Sequence, residues 1–240
     1  MIRVETLAEP GAVAERAAEI IADEARAAVA ARGRFVLAVS GGRTPWVMLR
    51  ALAGRRLPWD HLHVVQVDER VAPPGHADRN LTHLQESLLE HAPLPPGHLY
   101  AMPVESPDLQ GAAARYAETL RELAGAPPVL DLVHLGLGAD GHTASLVPGD
   151  PALAVTDGDV SPTGLYGGRR RMTLTYPILN RARRVLWVVT GEEKAAMLAR
   201  LARVDTAIPA GRVSQDRALV LADRAAAAAL RETPGAGTTW

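Results

Sequence analysis

The sequence predicts an α/β fold: three αβα layers around a mainly parallel, Rossmann-like sheet with helices on both faces. Two observations carry this. Short apolar and β-branched runs alternate with longer stretches of helical spacing, and Gly, Pro or Asp marks each boundary. Most of the short runs are apolar on both faces, as strands inside a parallel sheet are. No linker, internal repeat or change of composition divides the 240 residues, so one domain over 1–240 is expected.

In chain order, the expected strands are Phe35 to Val39 (FVLAV), Leu62 to Val67 (LHVVQV), Asp131 to Leu137 (DLVHLGL), Arg184 to Thr190 (RVLWVVT) and Ala218 to Leu221 (ALVL). Helical spacing covers Val13 to Val29, Pro45 to Ala53, Leu81 to Glu90, Leu109 to Leu123, Glu192 to Ala202 and Arg224 to Leu230, the last holding an Ala run. Thr44, Asn80, Asp108 and Asp223 stand where N-caps belong, since each offers a short side-chain acceptor to free amides. Met172 to Thr175 reads as a further short strand, and Val71 to Arg79, Pro93 to Pro107 and Pro148 to Gly168 as irregular segments rich in Pro, Gly and Asp.

Composition narrows the function. Hydrophobic residues at 48% and charged residues at 22% support a sizeable core rather than disorder. Lys and Arg together number 26 against 27 Asp and Glu, so no general basic field gathers nucleic acid or acidic membranes, and any anion site must be local. The chain has no cysteine, which excludes disulfides, thiol nucleophiles and cysteine-held metals and fits a reducing compartment. Acidic groups interrupt MIRVETLAEPGAVAERAAE where a secretory leader needs an apolar stretch, and no run of about 18 apolar residues exists. A cytoplasmic protein is expected, monomeric or a small homo-oligomer.

In an open α/β sheet, ligands bind beyond the carboxyl ends of the strands. After the first expected strand comes Ser40-Gly41-Gly42-Arg43-Thr44-Pro45, whose glycines and helix-start amides form a cradle suited to an anion; read by itself, it also serves as a plain strand-to-helix turn. After the second comes Asp68-Glu69-Arg70, either rim chemistry or a surface ion-pair cluster. After the third, Ala139-Asp140-Gly141-His142-Thr143 sets a carboxylate two residues from an imidazole, the parts of a general base, although a capped turn explains the same residues. Lys194 is the single lysine among 26 basic residues and falls just after the fourth strand, where an ammonium can reach a phosphate. Arg171 ends a triple Arg whose first two members are expected in solvent, and it would add a donor fork if turned inward. His61 and His63 are better explained by strand alternation than by a metal, and no metal is expected.

Assembled, VSGGRTP (Val39 to Pro45), VDER (Val67 to Arg70) with Asn80 following, GLGADGHTASL (Gly136 to Leu146) with Pro148, RMTLT (Arg171 to Thr175) and GEEK (Gly191 to Lys194) resemble the 6-phosphogluconolactonases. That family belongs to a superfamily with the glucosamine-6-phosphate deaminases and, more distantly, ribose-5-phosphate isomerases. The resemblance spans nearly the whole chain. It implies hydrolysis of 6-phospho-D-glucono-1,5-lactone to 6-phosphogluconate, a step of the oxidative pentose phosphate pathway, without a cofactor. It further implies His142 as catalytic base beside Asp140, Asp68 and Arg70 on the sugar side, and Ser40, Gly41, Gly42, Arg171 and Lys194 as the phosphate set, to which the cradle's own residues add Arg43 and Thr44 as assisting side chains.

Three departures from the family pattern are Arg43 in place of a small hydroxyl residue, Val147 in place of Phe before Pro, and Leu81 in place of an aromatic after Asn80. The deaminase branch resembles an Asp-Gly-His segment followed five residues after the histidine by a catalytic Glu, where this chain has Val147, and reads Asp-Glu-Tyr in place of Asp68-Glu69-Arg70. Alternatives kept open are a deaminase-like sugar-phosphate isomerase and a non-catalytic sugar-phosphate-binding regulator.

Overall fold

The computed structural model describes residues 2–232; Met1 and residues 233–240, which the expected 1–240 span includes, lie outside it. Its strands in chain order are β1 (Arg3–Leu7), β2 (Phe35–Val39), β3 (Leu62–Gln66), β4 (Asp68–Arg70), β5 (Leu99–Tyr100), β6 (Leu132–Leu135), β7 (Val160–Pro162), β8 (Arg171–Leu174), β9 (Val185–Val189) and β10 (Ala218–Asp223). Its α-helices are α1 (Pro10–Arg32), α2 (Arg43–Ala53), α3 (Asn80–Leu84), α4 (Leu109–Ala124), α5 (Tyr176–Arg181) and α6 (Ala195–Ala202). Seven strands form a sheet in the order β1-β10-β9-β6-β2-β3-β5, with every pair parallel. A separate antiparallel sheet has the order β4-β8-β7.

The central strands alternate between two cores. Phe35, Leu37 and Val39 of β2 pack with α1 and α2, whereas Val36 and Ala38 face α4, α5 and α6, which makes three layers. Helix α1 shows why the long helices form where they do: Val13, Ala17, Ile20, Ile21 and Ala28 recur at helical spacing on its buried side. Pro10 occupies its first turn, and Gly33 at φ 76° ends it by donating its amide to the Val29 carbonyl at 2.8 Å.

Several expectations are corrected. The Ala run is not an α-helix: residues 224–227 make turns and Ala228–Glu232 a 3-10 helix. Asp223 accepts the Ala226 amide at 2.8 Å, and Ala226 and Ala227 are buried in the core, so packing holds a tight turn where propensity favours a helix. Thr44 and Asn80 are not caps but lie inside α2 and α3, which open after Gly42 and Arg79; Asp108 does cap α4, through the Gly111 amide. The stretch from Leu81 to Glu90 divides into α3 and a π-helix at Gln85–Leu89, and that from Glu192 to Ala202 into a 3-10 turn at Glu192–Lys194 and α6. Strands β1, β4, β5 and β7 were not expected: β1 is an exposed edge, and the others have two or three residues, too few for a period to show. Among the described residues no helix is long and apolar enough to cross a membrane.

Candidate active site

The chain steps from β2 to β3 and β5 on one side, then crosses to β6, β9 and β10 on the other. Such a reversal leaves a crevice beyond the carboxyl ends of the strands. Strands β2 and β6 pair at Leu37–Leu132 and Ala38–Val133, and beyond this the contact passes to side chains. The Ser40 amide donates to His134 Nδ1 at 3.2 Å, and its hydroxyl to the His134 carbonyl at 3.0 Å. Burial drives the His134 imidazole down to about 3, so the ring stays neutral with its proton on Nε2.

The crevice is a cleft of about 660 Å³. Its lining includes Ser40, Gly41, Gly42, Arg43 and Thr44 of the β2–α2 turn, Asp68 and Arg70 of β4, His142, Arg171 of β8, and Lys194. Thr44 Oγ1 lies 2.6 Å from Thr190 Oγ1 at the end of β9, fixing the start of α2 beside the turn that carries Lys194. No ion pair or side-chain hydrogen bond engages Lys194 or Arg43 among the described residues.

On one wall, the loop after β6 folds tightly, with the Gly138 amide donating to the His142 carbonyl at 2.8 Å and the Gly141 amide to the Gly138 carbonyl at 3.0 Å. The His142 ring lies back over Gly138, where a Cβ would come within 2.1 Å of Nδ1, so only glycine fits. His142 Nδ1 is 2.5 Å from Asp140 Oδ1, which also accepts the His142 amide at 3.1 Å. The Tyr166 hydroxyl donates to Asp140 Oδ2 at 3.1 Å. Burial pushes the Asp140 carboxyl up, but these donors outweigh it and hold it below the usual range. With Nδ1–H committed to the carboxylate, Nε2 is the ring's open acceptor, a tautomer assigned from the hydrogen-bond network.

The opposite side is the small sheet. Strand alternation puts Asp68 and Arg70 on the cleft side and Glu69 on the other, fully buried. Glu69 accepts the amides of Arg70, Asn80 and Leu81 and pairs with Arg79 at 3.3 Å, a structural role. Asp68 accepts the Ser145 hydroxyl at 2.5 Å, and the Arg171 guanidinium donates to that same hydroxyl at 3.4 Å. Arg70 donates to Asn80 Oδ1 at 2.6 Å. The Nε atoms of Arg70 and Arg171 are buried without a partner. Desolvation lowers the Arg171 pKa, with Asp68 opposing it.

The sequence matches the family described as glucosamine-6-phosphate isomerases/6-phosphogluconolactonase over residues 8–221. The chain belongs to this family. A 6-phosphogluconolactonase from a Nostoc species is 36% identical over 235 residues, covering 95% of this chain and 98% of that one. The solved 6-phosphogluconolactonase from Thermotoga maritima is 28% identical with a TM-score of 0.81, over 92% of this chain and 98% of that one. A monomeric glucosamine-6-phosphate deaminase superposes at a TM-score of 0.83 over 95% of this chain and all of that one, but at 19% identity, a likeness of fold alone.

Within this glucosamine-6-phosphate isomerase/6-phosphogluconolactonase fold, one cleft gathers Ser40 to Thr44, Asp68, Arg70, His142, Arg171 and Lys194, whereas Asp140 stands behind His142 and Glu69 turns to the other side of β4. Of the two arginines expected in solvent, Arg170 is exposed, but Arg169 is half-buried and pairs with Asp78 at 2.7 Å. His61 and His63 do not share a strand face: His61 ends a 3-10 turn, and His63 stacks on His98 with ring centroids 4.3 Å apart. Sequence reasoning missed Tyr166, Ser145 and Thr190. Ser145 lay inside the quoted motif GLGADGHTASL and Thr190 at the end of an expected strand, without a signal that marked either side chain. For Tyr166 there was one, because Gly167-Gly168 between a run ending in Tyr and a run beginning with Arg is a hairpin signature.

Proposed function

We propose that this chain is a 6-phosphogluconolactonase, a hydrolase that opens 6-phospho-D-glucono-1,5-lactone to 6-phosphogluconate. The observation that carries the reading is the arrangement of the cleft: an oriented imidazole on one wall faces a cationic corner in which, among the described residues, Lys194 makes no ion pair and the buried Nε atoms of Arg70 and Arg171 have no partner. The relatives named as lactonases at about 36% identity support it. The absence of cysteine fits action in a cytoplasm, and residues 1–240 act as one domain.

In the reaction, the phosphate is gripped by Lys194, Arg171 and the amides of Gly41 and Gly42, with Thr44 and Arg43 at the helix start. Ser40 shapes this cradle from beneath, since its amide and hydroxyl proton are given to His134. That anchorage fixes the lactone carbonyl beside His142, converting a chance encounter into a positioned one. His142 Nε2 takes a proton from water as the water oxygen bonds to the carbonyl carbon. Arg70, on the sugar side with Asp68, donates to the oxyanion that develops. The ring C–O bond then breaks, His142 returns the proton to the ring oxygen, and the acid formed ionises.

The deaminase reading needs a second acid in place of Val147, and this side chain is apolar and 5% exposed. The test follows freshly generated 6-phosphogluconolactone with and without protein, beside glucosamine 6-phosphate. Faster loss of the lactone alone is expected; turnover of the amino sugar, or lactone loss at the spontaneous rate, would contradict the assignment.

A further inference from the structure

The segment between β7 and β8 reads in the sequence as irregular, yet it builds a defined device over the cleft. Tyr166 and Arg169 bridge each other, the Tyr166 amide donating to the Arg169 carbonyl at 3.0 Å and the Arg169 amide returning to the Tyr166 carbonyl at 3.3 Å. Between them Gly167 and Gly168 take φ 59° and 76°, the paired positive values that a two-residue hairpin turn needs. The far side of the turn is pinned by Arg169, which donates to Asp78 Oδ2 at 2.7 Å. Tyr166 is thereby delivered to a fixed place.

At that place it touches both working parts of the cleft. Its hydroxyl lies 3.1 Å from Asp140 Oδ2 and 3.4 Å from His142 Nδ1, and its ring meets the His142 ring edge-on with centroids 5.4 Å apart. The other side of the story is Arg171, whose guanidinium carbon sits 4.9 Å from the Tyr166 ring centroid and whose Nη2 reaches the Tyr166 carbonyl at 3.5 Å. One side chain thus contacts the carboxylate that orients the imidazole and the cation that faces the substrate anion.

We infer that Tyr166 is a positioning residue for the lactonase reaction, with a separable task for each half of its side chain. The hydroxyl holds the second oxygen of Asp140, so that Oδ1 stays aimed at His142 Nδ1 and Nε2 stays open. The ring supports the Arg171 guanidinium by a cation–π contact, keeping it aligned with the phosphate corner. The inference rests on the lactonase reading for its kinetic consequences. The hydroxyl stays protonated as a donor, because burial and the adjacent Asp140 charge push its pKa up.

The two tasks predict different failures. Tyr166→Phe keeps the ring and loses the hydroxyl, so kcat falls by about tenfold, the scale of one hydrogen bond to a charged group, with KM within about twofold. Tyr166→Ala loses both, so KM also rises, by about fivefold for a cation–π contact. In an Asp140→Asn background, Tyr166→Phe costs little more, because the partner of the hydroxyl is already neutral. An unchanged kcat in Tyr166→Phe, or a loss that adds in full to that of Asp140→Asn, would overturn the hydroxyl's role.

A second measurement reads the inference without substrate. Long-range nitrogen–proton NMR of the His142 ring, with the ring neutral, should show the Nδ1–H tautomer in the unmodified chain and a mixture in Tyr166→Phe. Unaltered His142 ring signals in that variant would overturn the inference even if the lactone is turned over. Conversely, if the unmodified chain leaves the lactone untouched while the tautomer shifts as described, the function reading fails and the positioning role stands.

Discussion

The two walls of the cleft are built on opposite principles. On the imidazole wall the carboxylate and the inner ring nitrogen are engaged and only His142 Nε2 is left open: Asp140 receives the His142 amide, His142 Nδ1 and the Tyr166 hydroxyl, and the loop closes on itself over Gly138. On the cationic wall the donors outnumber their acceptors, with the buried Nε of Arg171 and of Arg70 unpartnered and Lys194 turned to the cleft. A satisfied network holds one geometry before substrate arrives, whereas unsatisfied buried donors favour an anion that completes them. The difference assigns proton transfer to the first wall and the holding of negative charge, on the phosphate and on the developing oxyanion, to the second.

The sharpest way to break that division is His142→Ala. Loss of a general base costs about 10²- to 10⁴-fold in kcat, and KM should stay within about threefold, as steady-state kinetics on fresh lactone would read. Next comes Gly138→Ala, whose added Cβ falls 2.1 Å from His142 Nδ1. The ring must swing away, so kcat should drop by about a hundredfold while product still binds, a result that isothermal titration beside kinetics would check. Lys194→Ala removes a charged contact from the other wall and should raise KM about tenfold, with kcat nearly kept. A Lys194 variant with altered kcat and unchanged KM would dissolve the division.

The smallest effect concerns what lies beneath both walls. His134 is fully buried with its pKa driven down to about 3 from an ordinary 6.5, so the unfolded chain binds a proton that the folded chain refuses between those values. Its contribution is therefore intact above pH 6.5 and lost as pH falls towards 3, at roughly 1 kcal/mol per pH unit. Urea unfolding as a function of pH should show a shallower acid slope for His134→Gln. An equal slope would mean that the ring is solvated when folded.

The same contrast explains what was legible in the sequence. The parallel sheet was readable because β2, β3, β6 and β9 are buried on both faces and so appear as apolar runs. The residues at their tips could then be placed by rule, which is why Ser40 to Thr44, His142 and Lys194 were found. The antiparallel sheet was not readable, since Asp68–Arg70 and Val160–Pro162 have three residues each and mix polar with apolar groups. Asp68 and Arg70 were reached as the residues that follow the LHVVQV run, and Arg171 as the last of three arginines beside a short strand, without the sheet that joins them being foreseen. Tyr166 belongs to no expected element; its position follows from the Gly167-Gly168 turn and the Arg169–Asp78 pair, and contacts between distant segments leave little mark in sequence. The Ala run failed for the converse reason, a strong local propensity overridden by packing of Ala226 and Ala227.

The division of labour is tested most directly by calorimetric binding of 6-phosphogluconate to the unmodified chain, His142→Ala and Lys194→Ala in one buffer. The account predicts that His142→Ala binds within about threefold of the unmodified chain and that Lys194→Ala binds about tenfold more weakly. Equal losses in the two variants, or a larger loss in His142→Ala, would contradict it.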